Sequence, residues 1–265
     1  MQVTVTRNEN VFKDYYLLEV RGKGLGGRVS PGQFFMIKVG YGTDPLLRRP
    51  ISLHKIVSKD TVRLLYKEVG RGTGLMSRMV PGDTMDVVGP LGNGFSVPGH
   101  TTHAMLVAGG IGVAPLLGLA ERLRHEHPSM SVAAFIGGRS GDDVLGTAEF
   151  RRFGIKTYIS TEDGSLPRKG RITDSLEEYI TKYAKHGTKG WTIYTCGPKP
   201  MMMGVAAIAS MHGIKCYASL ESRMACGVGA CVGCVTSIVD REHGGSTYKL
   251  VCKDGPVFDT EEVVW

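Results

Sequence analysis

From His103 to Glu221 the chain alternates short, continuously apolar runs with longer amphipathic ones. HAMLVAG precedes APLLGLAERLRHE, SVAAFIGG precedes DDVLGTAEFRRF, IKTYIS precedes TDSLEEYITKYAK, WTIYTCG precedes PKPMMMGVAAIASMHG, and KCYASLE closes the series. A strand apolar on both faces must be covered on both sides, and strands separated by helices run parallel. The alternation therefore predicts a doubly wound α/β domain over residues 101–220. Residues 1–100 read differently: VTVTR, YYLLEVR, QFFMIKV, ISLHKIV, TVRLLYKEV and DTMDVVG are β-rich, with SPG, VPG and GPLGNG as turns. Six short strands broken by such turns predict a small antiparallel β-barrel. Residues 221–265 carry no long periodic segment but hold four of the six cysteines, which predicts a small C-terminal module organised by a metal. There is no internal repeat or long linker.

Composition excludes several functions. The 265 residues, 42% hydrophobic, can bury more than one core. The net charge of +7 comes from scattered Lys and Arg rather than a basic stripe interleaved with aromatics, so a nucleic-acid partner is not expected. AMLVAGGIGVAPLLGLA, the longest apolar stretch, is short for a membrane span and holds four glycines and a proline. The start, MQVTVTRNEN, is polar and shows no secretory signal. We expect a cytoplasmic chain without a membrane span, in which clustered cysteines bind metal rather than pair as disulfides.

The cysteines are spaced C-x4-C-x2-C-x17-C: Cys226, Cys231, Cys234 and Cys252. Structural zinc sites usually pair two short knuckles, whereas here one loop supplies three ligands and the fourth is remote, which matches the plant-type [2Fe–2S] spacing. Gly227, Gly229 and Gly233 let such a loop wrap closely and aim N–H groups at the sulfurs of an anionic cluster. Zinc remains the alternative at this point. Cys216, in KCYASL, reads as a core thiol.

Three strand ends carry glycine-bearing turns: GGIGVAP with Gly109, Gly110 and Gly112, STEDGS at 160–165, and TCGPKPMM with Cys196, Gly197 and Pro198. Loops at the carboxyl ends of parallel strands form one crevice, and a dinucleotide is its natural occupant. In the barrel, RRPIS offers an arginine for a diphosphate and Ser52 for a ring edge, while Gly72, Thr73 and Gly74 lead into a short helix. Taken singly, each of these is compatible with an ordinary barrel turn. Arg139, with Asp142 and Asp143 close behind, leaves NAD versus NADP open.

A barrel with R-P-x-S and G-x-G-T-G, followed by GGxGxAP and CGPxxMM, resembles the ferredoxin–NADP reductase superfamily. With the cysteine module and the terminal CKDGPVFDTEEVVW, the whole chain closely resembles the electron-transfer subunits of NAD-dependent, class 1B dihydroorotate dehydrogenases. The resemblance implies FAD along Arg49, Pro50, Ile51, Ser52, Tyr66, Lys67, Glu68, Gly72, Thr73 and Gly74. Ile51 departs from the tyrosine often found there in the wider superfamily. It further implies NAD(H) on the α/β domain and a [2Fe–2S] cluster on the four cysteines. The implied partner is an FMN-containing catalytic subunit in a heterotetramer of two plus two chains, serving pyrimidine (UMP) biosynthesis. Because NAD takes a hydride, a cluster takes single electrons and flavin handles both, the FAD belongs between the other two, and no catalytic acid or base is required of this chain. Two alternatives stand beside this reading. One is the small FAD and iron–sulfur subunit of an NADH-dependent ferredoxin:NADP+ oxidoreductase, whose cluster uses three cysteines and an aspartate; the other is a zinc-bound, non-redox interaction subunit.

Overall fold

The computed structural model describes residues 1–40 and 42–265. Strands β1 (Gln2–Phe12), β2 (Tyr15–Arg21), β3 (Phe34–Lys38), β4 (Arg49–Ser58), β5 (Thr61–Lys67) and β6 (Thr84–Leu91) close an antiparallel barrel in the order β1-β2-β5-β4-β3-β6, with helix α1 (Arg71–Met76) between β5 and β6. The period-two pattern decides which side chains go inside. Phe35 and Ile37 of β3 face the barrel core with Val62, Leu64 and Tyr66 of β5, while Phe34 and Met36 face outward into a second core. Leu64 is fully buried, and truncating such a side chain typically costs about 2–5 kcal/mol.

Strands β7 (His103–Gly109), β8 (Ser131–Gly138), β9 (Lys156–Thr161), β10 (Trp191–Cys196) and β11 (Lys215–Ser219) are parallel. They alternate with α2 (Val113–Glu126), α3 (Thr147–Arg152), α4 (Ile172–Tyr183) and α5 (Lys199–Met211). The spatial order β11-β10-β7-β8-β9 puts a topological switch point between β7 and β10. Neighbours along β7 face opposite ways: Leu106 packs with Leu116 and Leu119 of α2, and Met105 and Val107 pack with Leu176 of α4 and Val205 of α5. DDVLGTAEFRRF divides into a 3-10 turn at Gly141–Asp143 and α3, because Gly146 takes a left-handed conformation (φ 77°) at the helix start.

Helix α2 also seals the sheet to the barrel. A Cβ on its Gly118 would come 2.8 Å from the His54 carbonyl of β4, and Lys55 Nζ meets Glu121 at 2.6 Å. His54 is buried in this seam with Nδ1 3.3 Å from the Ala114 carbonyl, so Nδ1 carries the hydrogen. Burial lowers the His54 pKa below its ordinary 6.5, a shift partly offset by that hydrogen bond. A base depressed in the fold contributes stability that is complete above its unfolded pKa and is lost as pH falls through the folded one. Melting temperature is expected to drop more steeply below about pH 6.5 in the wild type than in His54→Gln, and parallel slopes would remove His54 as the cause.

The C-terminal residues form a hairpin, β12 (Val235–Val239) with β13 (Ser246–Leu250), and a short strand, β14 (Val257–Asp259), which joins the main sheet antiparallel to β11. Phe34 and Met36 of the barrel share one buried cluster with Cys234, Ile238, Cys252 and Phe258. The cysteine segment is therefore fastened to both preceding units. No helix among the described residues is long and apolar enough to cross a membrane.

Candidate functional site

The cysteine loop places its sulfurs in two pairs. The N–H groups of Val228 and Cys231 each donate to Cys226 Sγ at 3.4 Å, and the N–H of Cys252 donates to Cys234 Sγ at 3.4 Å. Those backbone donors bring the Cys226 thiol down to about 6. Burial, then the adjacent Cys234 thiol, pushes Cys252 up to about 11. Among the described residues no three His, Cys, Asp or Glu side chains converge on a single ion position. Two thiol pairs with N–H donors on their sulfurs fit a binuclear cluster with two protein ligands per iron better than one tetrahedral zinc. Cys234 and Cys252 are buried and Cys231 is exposed, so the loop has a protein-facing and a solvent-facing half. Gly227 has a φ of 74°, and a Cβ there would overlap the Met36 side chain of β3. That close approach seats the loop on the barrel.

The flavin-type residues lie on the neighbouring strand. Arg49, Pro50, Ile51 and Ser52 open β4 and pair with Ile37, Met36, Phe35 and Phe34 of β3, so Pro50 is the direct cross-strand partner of the methionine under the cysteine loop. A Cβ on Gly72 would overlap the Arg49 guanidinium, which thus crosses the first turn of α1. Arg49 has no carboxylate partner among the described residues, whereas adjacent Arg48 is paired with Asp86. The guanidinium donates to the Leu47 carbonyl two residues back, and its remaining N–H groups beside the unbonded N–H groups of a helix start are a donor set suited to a diphosphate, so these residues fit FAD. Gly74 packs against the Glu68 carboxylate. Two side chains of this group turn elsewhere. Tyr66 points into the barrel core, stacks on Tyr16 at 5.5 Å and donates to Asn8 Oδ1 at 3.2 Å, because β5 alternates inward at that position. Thr73 Oγ1 accepts from Val69 and Gly70 N–H at 2.9 and 3.2 Å, which closes its own turn.

At the switch point a cleft of about 610 Å³ opens over the carboxyl ends of the strands. Gly109, Gly110, Gly197 and Pro198 line it as expected from sequence. Gly112 and Cys196 do not. A Cβ on Gly112 would overlap the Cys196 carbonyl, so these two residues clamp neighbouring loops together beneath the cleft. Burial raises the Cys196 thiol strongly and pushes Cys216, in the core behind the sheet, up to about 12. The starts of α4 and α5 also reach the cleft, through Arg171, Ile172 and Thr173 and through Pro198 and Pro200. At α4 the Asp174 carboxylate already accepts from Arg171 N–H at 3.1 Å, whereas α5 has no side-chain cap bond and no acidic residue in its first turn, so the positive end of α5 is the one that suits a pyrophosphate.

Arg139 and Glu162 stand on the rim, and the turns that carry them are tied by Glu162 N–H to the Gly138 carbonyl at 3.1 Å. Glu221 forms part of the wall; it is open to the cleft but surrounded by protein, and that desolvation raises its carboxyl pKa. The rule that ligands gather at carboxyl strand ends could have flagged Glu221, which follows β11. No sequence signal points to Tyr15, which reaches the cleft from the barrel.

A flavin-type barrel, a dinucleotide-type sheet and a paired-thiol loop seated between them define a pyridine-nucleotide-linked flavoprotein oxidoreductase with an iron–sulfur module. Residues 221–264 match the family model for the iron-sulfur cluster binding domain of dihydroorotate dehydrogenase B, and residues 106–207 match the oxidoreductase NAD-binding domain. The dihydroorotate dehydrogenase B (NAD(+)) electron transfer subunit of Geobacillus thermodenitrificans is 41% identical, covering 99% of this chain and 98% of that protein. Its Fusobacterium nucleatum counterpart is 38% identical over 98% and 96%. An NADH-dependent reduced ferredoxin-NADP oxidoreductase structure, described for flavin-based electron bifurcation, aligns with a TM-score of 0.83 at 26% identity, covering 99% of this chain and 90% of that one. Phthalate dioxygenase reductase shares the fold, with a TM-score of 0.65 at 19% identity over 96% and 77%. The chain belongs to the family of dihydroorotate dehydrogenase B electron-transfer subunits. It is an oxidoreductase component with iron–sulfur, FAD and NAD(H) as its cofactors, and it works with a catalytic partner subunit.

Proposed function

We propose that this chain takes electrons from the FMN of a dihydroorotate-oxidising partner and passes them through a [2Fe–2S] cluster and FAD to NAD+, in the pyrimidine (UMP) pathway. When bound, the flavin supplies the exchange between single electrons and hydride. Residues 1–100 hold FAD, 101–220 hold NAD(H) and 221–265 hold the cluster on Cys226, Cys231, Cys234 and Cys252. Arg49 and the first turn of α1, Gly72 to Gly74, bind the FAD diphosphate; Pro50, Ile51 and Ser52 lie along its ring, with the backbone of Tyr66 to Glu68 beside it. Gly109, Gly110, Gly197 and Pro198 bring backbone to the dinucleotide, while Gly112 and Cys196 hold those loops in place from below. NAD+ is favoured over NADP+ because the curated relatives carry NAD(+) in their names. One observation carries this reading: the cysteine loop rests on Met36, whose cross-strand partner Pro50 belongs to the flavin strand. The two redox sites are thus separated by a single pair of strands, with no side chain needed as acid or base.

The partner's place follows from the solvent-facing half of the loop. Val228, Val232, Val235, Val239 and Tyr248 are 40–71% exposed around the exposed Cys231, and pairing of β12 with β13 puts Val235, Val239 and Tyr248 on one face. Several exposed apolar side chains beside an electron-entry point are suited to docking. The catalytic subunit sits there, in an assembly of two plus two chains. Coexpressed with that subunit, the wild type is expected to copurify and to support dihydroorotate-dependent NAD+ reduction. Val232→Asp should weaken the complex by about 10-fold or more, the order of one interface hot spot. Absence of NAD+ reduction by the wild-type complex would refute the function, and undiminished binding by Val232→Asp would refute the docking face alone.

A further inference from the structure

Barrel and α/β domain meet a second time, at the mouth of the dinucleotide cleft. Tyr15, at the start of β2, and Lys67, at the end of β5, are register partners across the barrel. Lys67 Nζ donates to the Tyr15 hydroxyl at 3.2 Å, and that hydroxyl donates to Asp143 Oδ1 at 3.0 Å. The ammonium also lies 3.7 Å from Asp143 Oδ1 and 4.7 Å from the centre of the Tyr15 ring. Next to this network, Lys13 pairs with Asp142.

Asp142 and Asp143 sit in the 3-10 turn after β8, and their placement is itself enforced. Ser140 Oγ accepts from Asp142 N–H, and Ser165 Oγ accepts from Gly141 N–H at 2.7 Å. Tyr15, Lys67 and Asp143 all line the cleft, and Lys67 stands between the two residues that flank it in the flavin segment.

The two domains are joined along α2, which packs on β4 and β5, and through the C-terminal module, which contacts both. The bond from Tyr15 to Asp143 is a further tie, and it lies at the cleft mouth, where it limits opening of the cleft. Hydride transfer depends steeply on such a constraint, because reacting atoms must approach to about 3–3.5 Å and a 1 Å misplacement can cost about 100-fold. Charge adds to the argument. Asp143 neutralises Lys67, which would otherwise be a free cation on the cleft wall, able to pull the dinucleotide pyrophosphate toward the barrel.

We propose that Tyr15, Lys67 and Asp143 are positioning residues that set the width of the dinucleotide cleft and so align the nicotinamide with the flavin. This inference rests on the FAD and NAD(H) reading above.

The test uses the full chain loaded with FAD and cluster, in wild-type, Tyr15→Phe, Asp143→Asn and doubly substituted forms whose visible spectra match. Rapid mixing with NADH is expected to show flavin reduction slowed about 10-fold in Tyr15→Phe, with the NADH dissociation constant unchanged within about twofold. Asp143→Asn should slow it similarly while binding NADH as tightly or more tightly. The double variant should be no slower than the worse single one, because the three groups act as a unit. Independently of activity, amide hydrogen exchange at Gly141 to Val144 should quicken about 10-fold in Tyr15→Phe. Unchanged exchange together with an unchanged reduction rate would overturn the proposal, as would strictly additive effects. A wild-type protein whose flavin is not reduced by NADH would overturn both this proposal and the reading beneath it.

Discussion

Replacing Cys231 by serine is expected to lower dihydroorotate-dependent NAD+ reduction by at least about 100-fold in the complex with the catalytic subunit, since changes to groups that only support metal ligands already cost about 10–100-fold. Cys231 pairs with Cys226 and lends its own N–H to the Cys226 sulfur, so its thiolate is one of two at the exposed end of the site. A serine hydroxyl keeps the size but stays protonated at neutral pH, and it cannot replace a soft thiolate. The cleft and the β4 strand involve no part of this residue, so reduction of the chain's own flavin by NADH is expected to change by less than about twofold. The measurement is a pair of assays on one preparation, dihydroorotate to NAD+ through the complex and NADH to flavin within the chain. Full-rate transfer from dihydroorotate in Cys231→Ser would sink the proposed electron path. The zinc reading has its own signature: a native protein without visible cluster absorbance and with one zinc per chain.

The second large effect belongs to Arg49. Hydrogen bonds to charged groups contribute about 1.5–3 kcal/mol, so Arg49→Ala is expected to weaken FAD binding by about 10–150-fold and to yield protein largely stripped of flavin. Gly72→Val should act the same way, because its side chain would occupy the space the guanidinium crosses. The adjacent Arg48 supplies the control: it is paired with Asp86 and bonds the Asp86 carbonyl at 2.8 Å, so Arg48→Ala should retain FAD. Flavin content per chain and titration with FAD measure all three. Retention by Arg49→Ala, or loss by Arg48→Ala, would reverse the assignment of the two arginines.

Much of the architecture was legible because its signals are local. Period-two and continuous apolar runs marked all six barrel strands and the five parallel ones, but not β12, β13 and β14, which are short and lie in the segment without a long periodic pattern. The three cysteines of the loop are legible as one group for the same reason, since residues within one short loop are close in space wherever the loop is placed. Side-chain direction was less accessible. Tyr66 and Lys67 are neighbours in one flavin-type segment, yet strand alternation sends one into the barrel core and the other across the domain boundary. Gly109 and Gly112 belong to one turn, yet only the first reaches the cleft, because the second is pressed against the carbonyl of Cys196.

By itself the sequence determined the order of a barrel, a parallel sheet and a thiol loop, and the cofactors followed from the family that order and its motifs resemble. Periodicity, turn chemistry and ligand spacing are properties of contiguous residues and survive without knowledge of the fold. Only the tertiary structure decided how the three parts meet: Gly227 on Met36, β14 on the edge of the sheet beside β11, and Tyr15 on Asp143, 128 residues apart. Those contacts arise when outward-facing strand residues find their burial in another unit. That choice is made by the packing of whole surfaces, and no local pattern encodes it.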